Sequence, residues 1–201
     1  MQDSHSPYPS LVARGLACRR GDRVLFAGLD LALTGGQAVQ LAGANGIGKS
    51  SLMRLLAGLG QPWQGSVERQ GSVGLLDERP ALDPGQPLGR ALDFWARIDG
   101  AAQDEAQAAQ ARLGIAELLD VPVRYLSTGQ KKRAALARLI GQRAAIWLLD
   151  EPLNGLDTAA CALVEALAGE HCANGGICLI ASHQSFALPG MAVVHMAEYA
   201  A

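Results

Sequence analysis

The chain has 201 residues, 49% hydrophobic and 18% charged, enough to bury one substantial core and short for two. Seventeen basic against nineteen acidic residues leave a formal net charge of −2, which argues against a nucleic-acid partner held by bulk electrostatics. Apolar runs such as 144–149 and 177–181 have the length of buried strands, far below the ~18 residues of a membrane-spanning helix. Glycine is over-used, at 24 residues or about 12% against a typical ~7%, with no collagen-like period, so turns, caps and close backbone approaches are expected.

Residues 1–10, rich in Pro and Ser and without the basic and apolar regions of a signal peptide, read as a flexible tail. Alternating apolar residues over 11–18 and 24–33 predict short antiparallel strands. Gly35-Gly36 predicts a turn, and 38–42 a buried strand running into a Gly-rich loop. Helical spacing over 50–59 puts Leu52, Leu55, Leu56 and Leu59 on one face. Residues 65–76 read as two strands; Pro80, Pro84 and Pro87 then mark an irregular loop. Helices over 88–96 and 101–113 form a separate small lobe, the second favoured by its Ala/Gln composition.

A helix over 128–142, a strand over 145–149 and a helix over 158–172 follow, the last stopped by Asn174-Gly175-Gly176. Strands over 177–181 and 191–194 complete the chain. Strands alternating with helices imply an α/β fold with a largely parallel sheet covered on both faces. The four cysteines, Cys18, Cys161, Cys172 and Cys178, form no Cys-x-x-Cys pair and read as buried free thiols of a soluble protein in a reducing cytosol.

Three motifs carry chemistry. Gly43-Ala44-Asn45-Gly46-Ile47-Gly48-Lys49-Ser50 fits the phosphate-binding loop G-x-x-x-x-G-K-[ST] at every fixed position, between a predicted strand and a predicted helix. Its glycines let successive backbone N–H groups face phosphate oxygens, Lys49 supplies a cation to the β- and γ-phosphates, and the Ser50 hydroxyl can ligate Mg²⁺. Lys49 is one of only three lysines, with Lys131 and Lys132. The apolar strand that ends in Asp150-Glu151-Pro152 places two carboxylates where parallel sheets hold ligands. Asp150 suits Mg²⁺ through its water shell, and Glu151 suits the base that takes a proton from attacking water. Leu126-Ser127-Thr128-Gly129-Gln130 opens a helix: Ser127 and Gln130 spell an ordinary capping box, while the exposed N–H of Gly129 at that helix start is also an anion site. The order of phosphate loop, pentapeptide and Asp-Glu strand favours the anion site.

In that order and spelling the sequence resembles the ATP-binding cassette (ABC) family, from about Leu11 to the end, with Thr128 in place of the first signature glycine. The resemblance implies an ABC-type P-loop NTPase fold over 11–201, with a mostly parallel core sheet, an antiparallel N-terminal β-subdomain and a helical lobe at about 77–140. It implies ATP hydrolysis with Mg²⁺ held by Ser50 and Asp150, and nucleotide contacts along the phosphate loop through Ser51. Leu153-Asn154-Gly155-Leu156-Asp157 stands where the family has its D-loop, and Ser182-His183 where it has the switch histidine, so His183 joins Lys49 and Glu151 as catalytic candidates. Two copies are expected to pack head-to-tail, each ATP lying between one phosphate loop and the partner's Ser127, Gly129 and Gln130, with Asp157 nearby. The helical lobe then passes motion to integral membrane subunits.

Two family positions depart from pattern. Leu76-Asp77-Glu78-Arg79-Pro80 holds no glutamine after its strand, Gln86 coming too late. Where the family places an adenine-stacking aromatic stand Cys18-Arg19-Arg20, and an arginine plane can substitute. The opening Leu16-Ala17-Cys18-Arg19-Arg20, the phosphate loop with its helix, Phe94-Trp95-Ala96-Arg97 and the missing glutamine together resemble one subfamily, the ATP-binding subunits of haem exporters serving cytochrome c maturation. That resemblance implies a peripheral protein on the cytoplasmic face of the bacterial inner membrane, powering haem export or release of a haem-loaded periplasmic chaperone. The motor of another transporter, or a soluble ABC ATPase, is the alternative. No Cys-x-x-Cys-His is present, so no haem site in the chain itself is expected. The Phe94-Trp95 pair fits a partner contact or the core equally well.

Overall fold

A computed structural model describes residues 8–200. The expected tail falls mostly on residues 1–7, outside the described residues, and Ser10 already pairs with Thr34. Two sheets organise the chain. The first is antiparallel, in the order β2-β1-β4, with β1 Ser10–Arg20, β2 Arg23–Thr34 and β4 Gln64–Gln70. The second is parallel throughout, in the order β5-β6-β7-β3-β8, with β3 Ala38–Ala42, β5 Val73–Leu76, β6 Ile146–Asp150, β7 Ile177–Ala181 and β8 Ala192–His195.

The central strands β6 and β7 are buried along their whole length because both sheet faces are covered. Ile146, Leu148, Ile177 and Leu179 face a core shared with β1, β2 and helix α1 (Lys49–Leu56). Trp147, Leu149, Cys178 and Ile180 face a second core built with α2 (Leu88–Asp99), α3 (Gln103–Arg112), α4 (Thr128–Gly141) and α5 (Thr158–Ala173). Helix α1 is shorter than its leucine spacing predicts. It closes at Ala57, whose N–H caps back onto Met53, and Leu59 beyond it is exposed. Helix α2 runs past its predicted end to Asp99. Three cysteines are buried and Cys161 is half-buried, all four as free thiols.

The topology fixes where the chemistry converges. β7 lies between β3 and β6, with Ala181 level with both Leu41 and Asp150. The carboxyl ends of three adjacent strands therefore share one rim: β3 enters the phosphate loop there, β6 ends on Asp150 and Glu151, and β7 leads into Ser182 and His183. A sheet rim of this kind is where α/β folds hold ligands.

At the opposite end of β6, the His171 ring stacks on Trp147 at 4.1 Å and 7°, with Nε2 3.2 Å from the Ala145 carbonyl. Burial holds the imidazole pKa below its usual value, so the folded state keeps it neutral. As pH falls below ~6.5, the unfolded chain takes up the proton first and stability is lost until the folded-state pKa is passed. His171→Phe keeps a stacked ring without that proton, so its melting temperature should drop less than wild type's between pH 7.5 and pH 5.5. Equal drops in both proteins, followed by circular dichroism, would refute this.

Candidate active site

The phosphate loop owes its shape to glycine. Gly48 sits at φ 116°, and a Cβ there would stand 3.0 Å from the Phe26 ring and 3.3 Å from Leu25. Only a residue without a side chain takes both that conformation and that crowding. Helix α1 starts at once, with no side-chain cap and no acidic residue in its first turn, so its N–H groups remain available to an anion. Lys49 is buried and folds back over the loop, Nζ donating to the carbonyls of Gly43 at 2.6 Å and Ala44 at 3.3 Å.

Above the loop lies a cleft of about 500 Å³, within the range of small-molecule sites. Asn45, Gly46, Gly48, Lys49, Ser50 and Ser51 form its floor, and Glu151, Asn154, His183 and Glu78 one wall. Gly43, Ala44 and Ile47 do not line it: the first two turn their carbonyls to Lys49, and Ile47 packs on the core.

Asp150 is 4% exposed and its Oδ1 has no hydrogen-bond partner. Burial pushes its carboxyl above the usual range; a hydrogen bond from Ser50 opposes this, and the nearby Asp77, Glu151 and Glu78 carboxylates add to it. An orphaned carboxylate oxygen beside a hydroxyl, with three more carboxylates close by, is a donor set for a hard divalent cation. Glu151 takes φ 47°, a region that costs a non-glycine residue about 1–3 kcal/mol and that clusters at functional sites. This backbone turn directs its carboxylate to His183, Oε2 lying 2.9 Å from Nδ1. His183 lies inside a polar bracket in which Gln184 accepts from the Gln40 amide on its carbonyl at 2.8 Å, donates its N–H to Ser182 Oγ at 3.0 Å and its amide to Asn154 at 3.2 Å.

Ser127, Gly129, Gln130 and Asp157 stand outside this cleft. Ser127 and Gln130 do form the reciprocal capping box, Ser127 Oγ accepting from the Gln130 N–H at 3.2 Å and Gln130 Oε1 from the Ser127 N–H at 2.8 Å. Gly129 packs so closely on residues 153–157 that a Cβ on it would stand 2.6 Å from the Gly155 carbonyl oxygen. Thr128, one position earlier, packs its methyl group towards Gly155. Asp157 caps α5, accepting from the Ala160 N–H at 2.8 Å.

Sequence reasoning named Arg20, in the stretch whose arginine plane can stack on the base, but did not find Arg23, Leu25 or Glu78. Arg20, Arg23 and Leu25 form the side of the cleft contributed by the β1–β2 hairpin. Arg19, the other arginine in the expected stacking position, is turned to Asp22 at 3.1 Å and to the Gly21 carbonyl at 2.7 Å. Glu78 lines the cleft at the position lacking glutamine, whereas Asp77 pairs with Arg54 at 2.8 Å. Gln86 lies elsewhere, its carbonyl accepting from Val123. The Phe94-Trp95 pair divides: Phe94 is 57% exposed, while Trp95 packs on the core with the Arg138 guanidinium 3.5 Å from its ring centroid.

The family described as ABC transporter matches residues 26–154. The cytochrome c biogenesis ATP-binding export protein CcmA of Novosphingobium aromaticivorans is 58% identical over 178 residues, 89% of this chain and 91% of that protein. Proteins of the same name from Zymomonas mobilis and Rhodospirillum rubrum are 49% and 42% identical, over 87% and 92% of this chain and 78% and 84% of theirs. Among solved structures, an inward-facing metal-chelate type ABC transporter superposes with a TM-score of 0.74 at 25% identity, covering 88% of this chain and 73% of that one. An ATP-binding subunit of an ABC transporter gives 0.79 at 21% identity over 86% and 79%, a likeness of fold. With the phosphate loop, the Asp-Glu strand end and the histidine on one rim, the match places the chain in the ABC transporter family, as an ATP-hydrolysing member.

Proposed function

We propose that the chain is the ATP-hydrolysing subunit of a membrane complex for cytochrome c maturation, and that its strokes power haem export or release of a haem-loaded periplasmic chaperone. The observation that carries this is the 58% identity to a cytochrome c biogenesis export protein across about nine-tenths of both chains. ATP would lie with its phosphates over residues 43–51, Lys49 releasing the loop carbonyls to meet them and Arg20, Arg23 and Leu25 flanking the base. Asp150 and Ser50 would hold Mg²⁺, which neutralises phosphate charge. Glu151 takes the proton from the attacking water, and His183 holds that carboxylate in place from 2.9 Å.

Because Ser127, Gly129, Gln130 and Asp157 lie outside the chain's own cleft, a second copy in head-to-tail contact would bring them to the nucleotide. We place residues 11–201 as one ATPase domain, with the lobe at about 77–140 relaying motion to integral subunits. Phe94 and Ile98, exposed one turn apart on α2, support that side as the docking face. Among the described residues no helix is long and apolar enough to cross a membrane, which fits a peripheral subunit on the cytoplasmic face. Deleting the gene should abolish haem-stained c-type cytochromes, and the tagged chain should bring integral proteins out of detergent-solubilised membranes. Normal haem staining in the deletion strain would overturn the cytochrome c reading.

A further inference from the structure

We infer that Lys132 is the positioning residue for Glu151, fixing the backbone of the base from the helix that carries the Ser127–Gln130 cap. This rests on the reading of Glu151 as the base. Lys132 lies in the second turn of α4, is 5% exposed, and donates from Nζ to the Glu151 carbonyl. It falls in register with Leu136 and Leu139, a stripe of the helix that otherwise takes apolar residues. A leucine there would satisfy packing alone, and burying an ammonium costs far more than burying a leucine unless its charge and donors are used. Here they are used, with the Glu151, Asp150 and Glu78 carboxylates as its charged neighbours.

The carbonyl it holds belongs to a residue in an unfavourable conformation. Glu151 at φ 47° has its N–H donating to the Ala181 carbonyl at 2.8 Å, so β7 fixes one side of its peptide frame. Its carbonyl, on the other side, accepts from Lys132 and from the Asn154 N–H at 3.3 Å. Held from both sides, the residue can aim its carboxylate at His183 and the cleft. Residues 151–157 are thus gripped by α4 at two points, Lys132 on Glu151 and Gly129 against Gly155. A shift of α4 when its N-terminus engages the facing nucleotide would reach the base of this site through that grip.

The test measures steady-state ATP hydrolysis in the assembled complex for wild type, Lys132→Met, Lys132→Arg and Glu151→Gln. Binding of a fluorescent ATP analogue is measured alongside. Lys132→Met should lower kcat on the order of a hundredfold, the cost of a base misplaced by about 1 Å. The KM for ATP and the Kd of the analogue should stay within about threefold, since the phosphate contacts are untouched. Lys132→Arg keeps a charged donor and should return kcat to within about tenfold of wild type. An unchanged kcat in Lys132→Met, a KM that rises in step with the loss, or an arginine variant as inactive as the methionine one overturns the inference. If Lys132→Met does not fold, Lys132→Arg decides: kcat reduced within tenfold at unchanged KM supports it, and equal loss in both constants overturns it. Turnover lost in Glu151→Gln but retained in Lys132→Met sinks Lys132 alone. Turnover retained in Glu151→Gln sinks the base itself.

Discussion

Glu151→Gln should reduce ATP turnover by about 10³-fold while leaving ATP binding intact, and the isolated protein should then accumulate as an ATP-bound dimer. The substitution is nearly isosteric, so the left-handed backbone at φ 47° and the contact with His183 at 2.9 Å can both persist. What disappears is proton affinity: an amide oxygen cannot take the proton of the attacking water. General-base catalysis is commonly worth 10²–10⁴ in rate, which sets the expected loss. The floor of the cleft, including Lys49 and the α1 N-terminus, is untouched, so nucleotide still binds.

With hydrolysis blocked, a head-to-tail dimer closed on ATP would have no route to reopening except dissociation of ATP. Size-exclusion chromatography with ATP and Mg²⁺ should therefore show twice the monomer mass, reverting on chelation. The dimer should also melt higher than the free chain, because ligand and partner both bind only the folded form. A Glu151→Gln protein that remains monomeric under these conditions would refute the shared-site arrangement. Retained turnover would place the base elsewhere.

The rim that gathers the candidate residues was readable in the sequence because each part of it is local. A phosphate loop is contiguous, and an apolar strand ending in Asp150-Glu151 announces its own position. Continuous apolar strands alternating with helices imply a covered parallel sheet, and strand order then brings the ends of β3, β6 and β7 together. What could not be read there depends on contacts between distant elements. Lys132 sits in a run of three basic residues that looks like a solvated helix start. Its role is visible only when α4 lies against the loop at Glu151. One sequence signal pointed to it: a lysine in register with Leu136 and Leu139, in a chain with three lysines. Glu78, Arg23 and Leu25 were equally hidden, since the hairpin and the β5 exit meet the phosphate loop only in three dimensions. The end of α1 misled for the opposite reason. Leucine spacing continues to Leu59, but the chain turns at Ala57, and periodicity carries no information about caps.

Asp150→Asn should act in opposite directions on stability and on activity. In the fold the carboxylate is buried, its Oδ1 has no partner, and Glu151, Glu78 and Asp77 crowd it with like charge, opposed by the Lys132 ammonium. Its pKa is therefore raised, chiefly by burial. For a carboxyl with a raised folded-state pKa, the native form is penalised at neutral pH, and the penalty fades as pH falls through that pKa. Asparagine removes the charge at similar volume, so the variant should gain about 1 kcal/mol, or about 2–4 °C in melting temperature at neutral pH. The advantage over wild type should shrink towards acidic pH as Asp150 takes up its proton. Hydrolysis should fall on the order of 10²–10³-fold, since a metal-supported charge at the phosphates is worth several kcal/mol. Adding ATP with Mg²⁺ should reverse the ranking, because wild type gains the full binding energy of the ion and the variant does not. Melting curves at two pH values, with and without Mg²⁺-ATP, measure all of this. A variant that melts lower than wild type in the absence of nucleotide would mean that the buried carboxylate is already satisfied within the fold. In that case its orphaned oxygen could not be the feature that draws the cation.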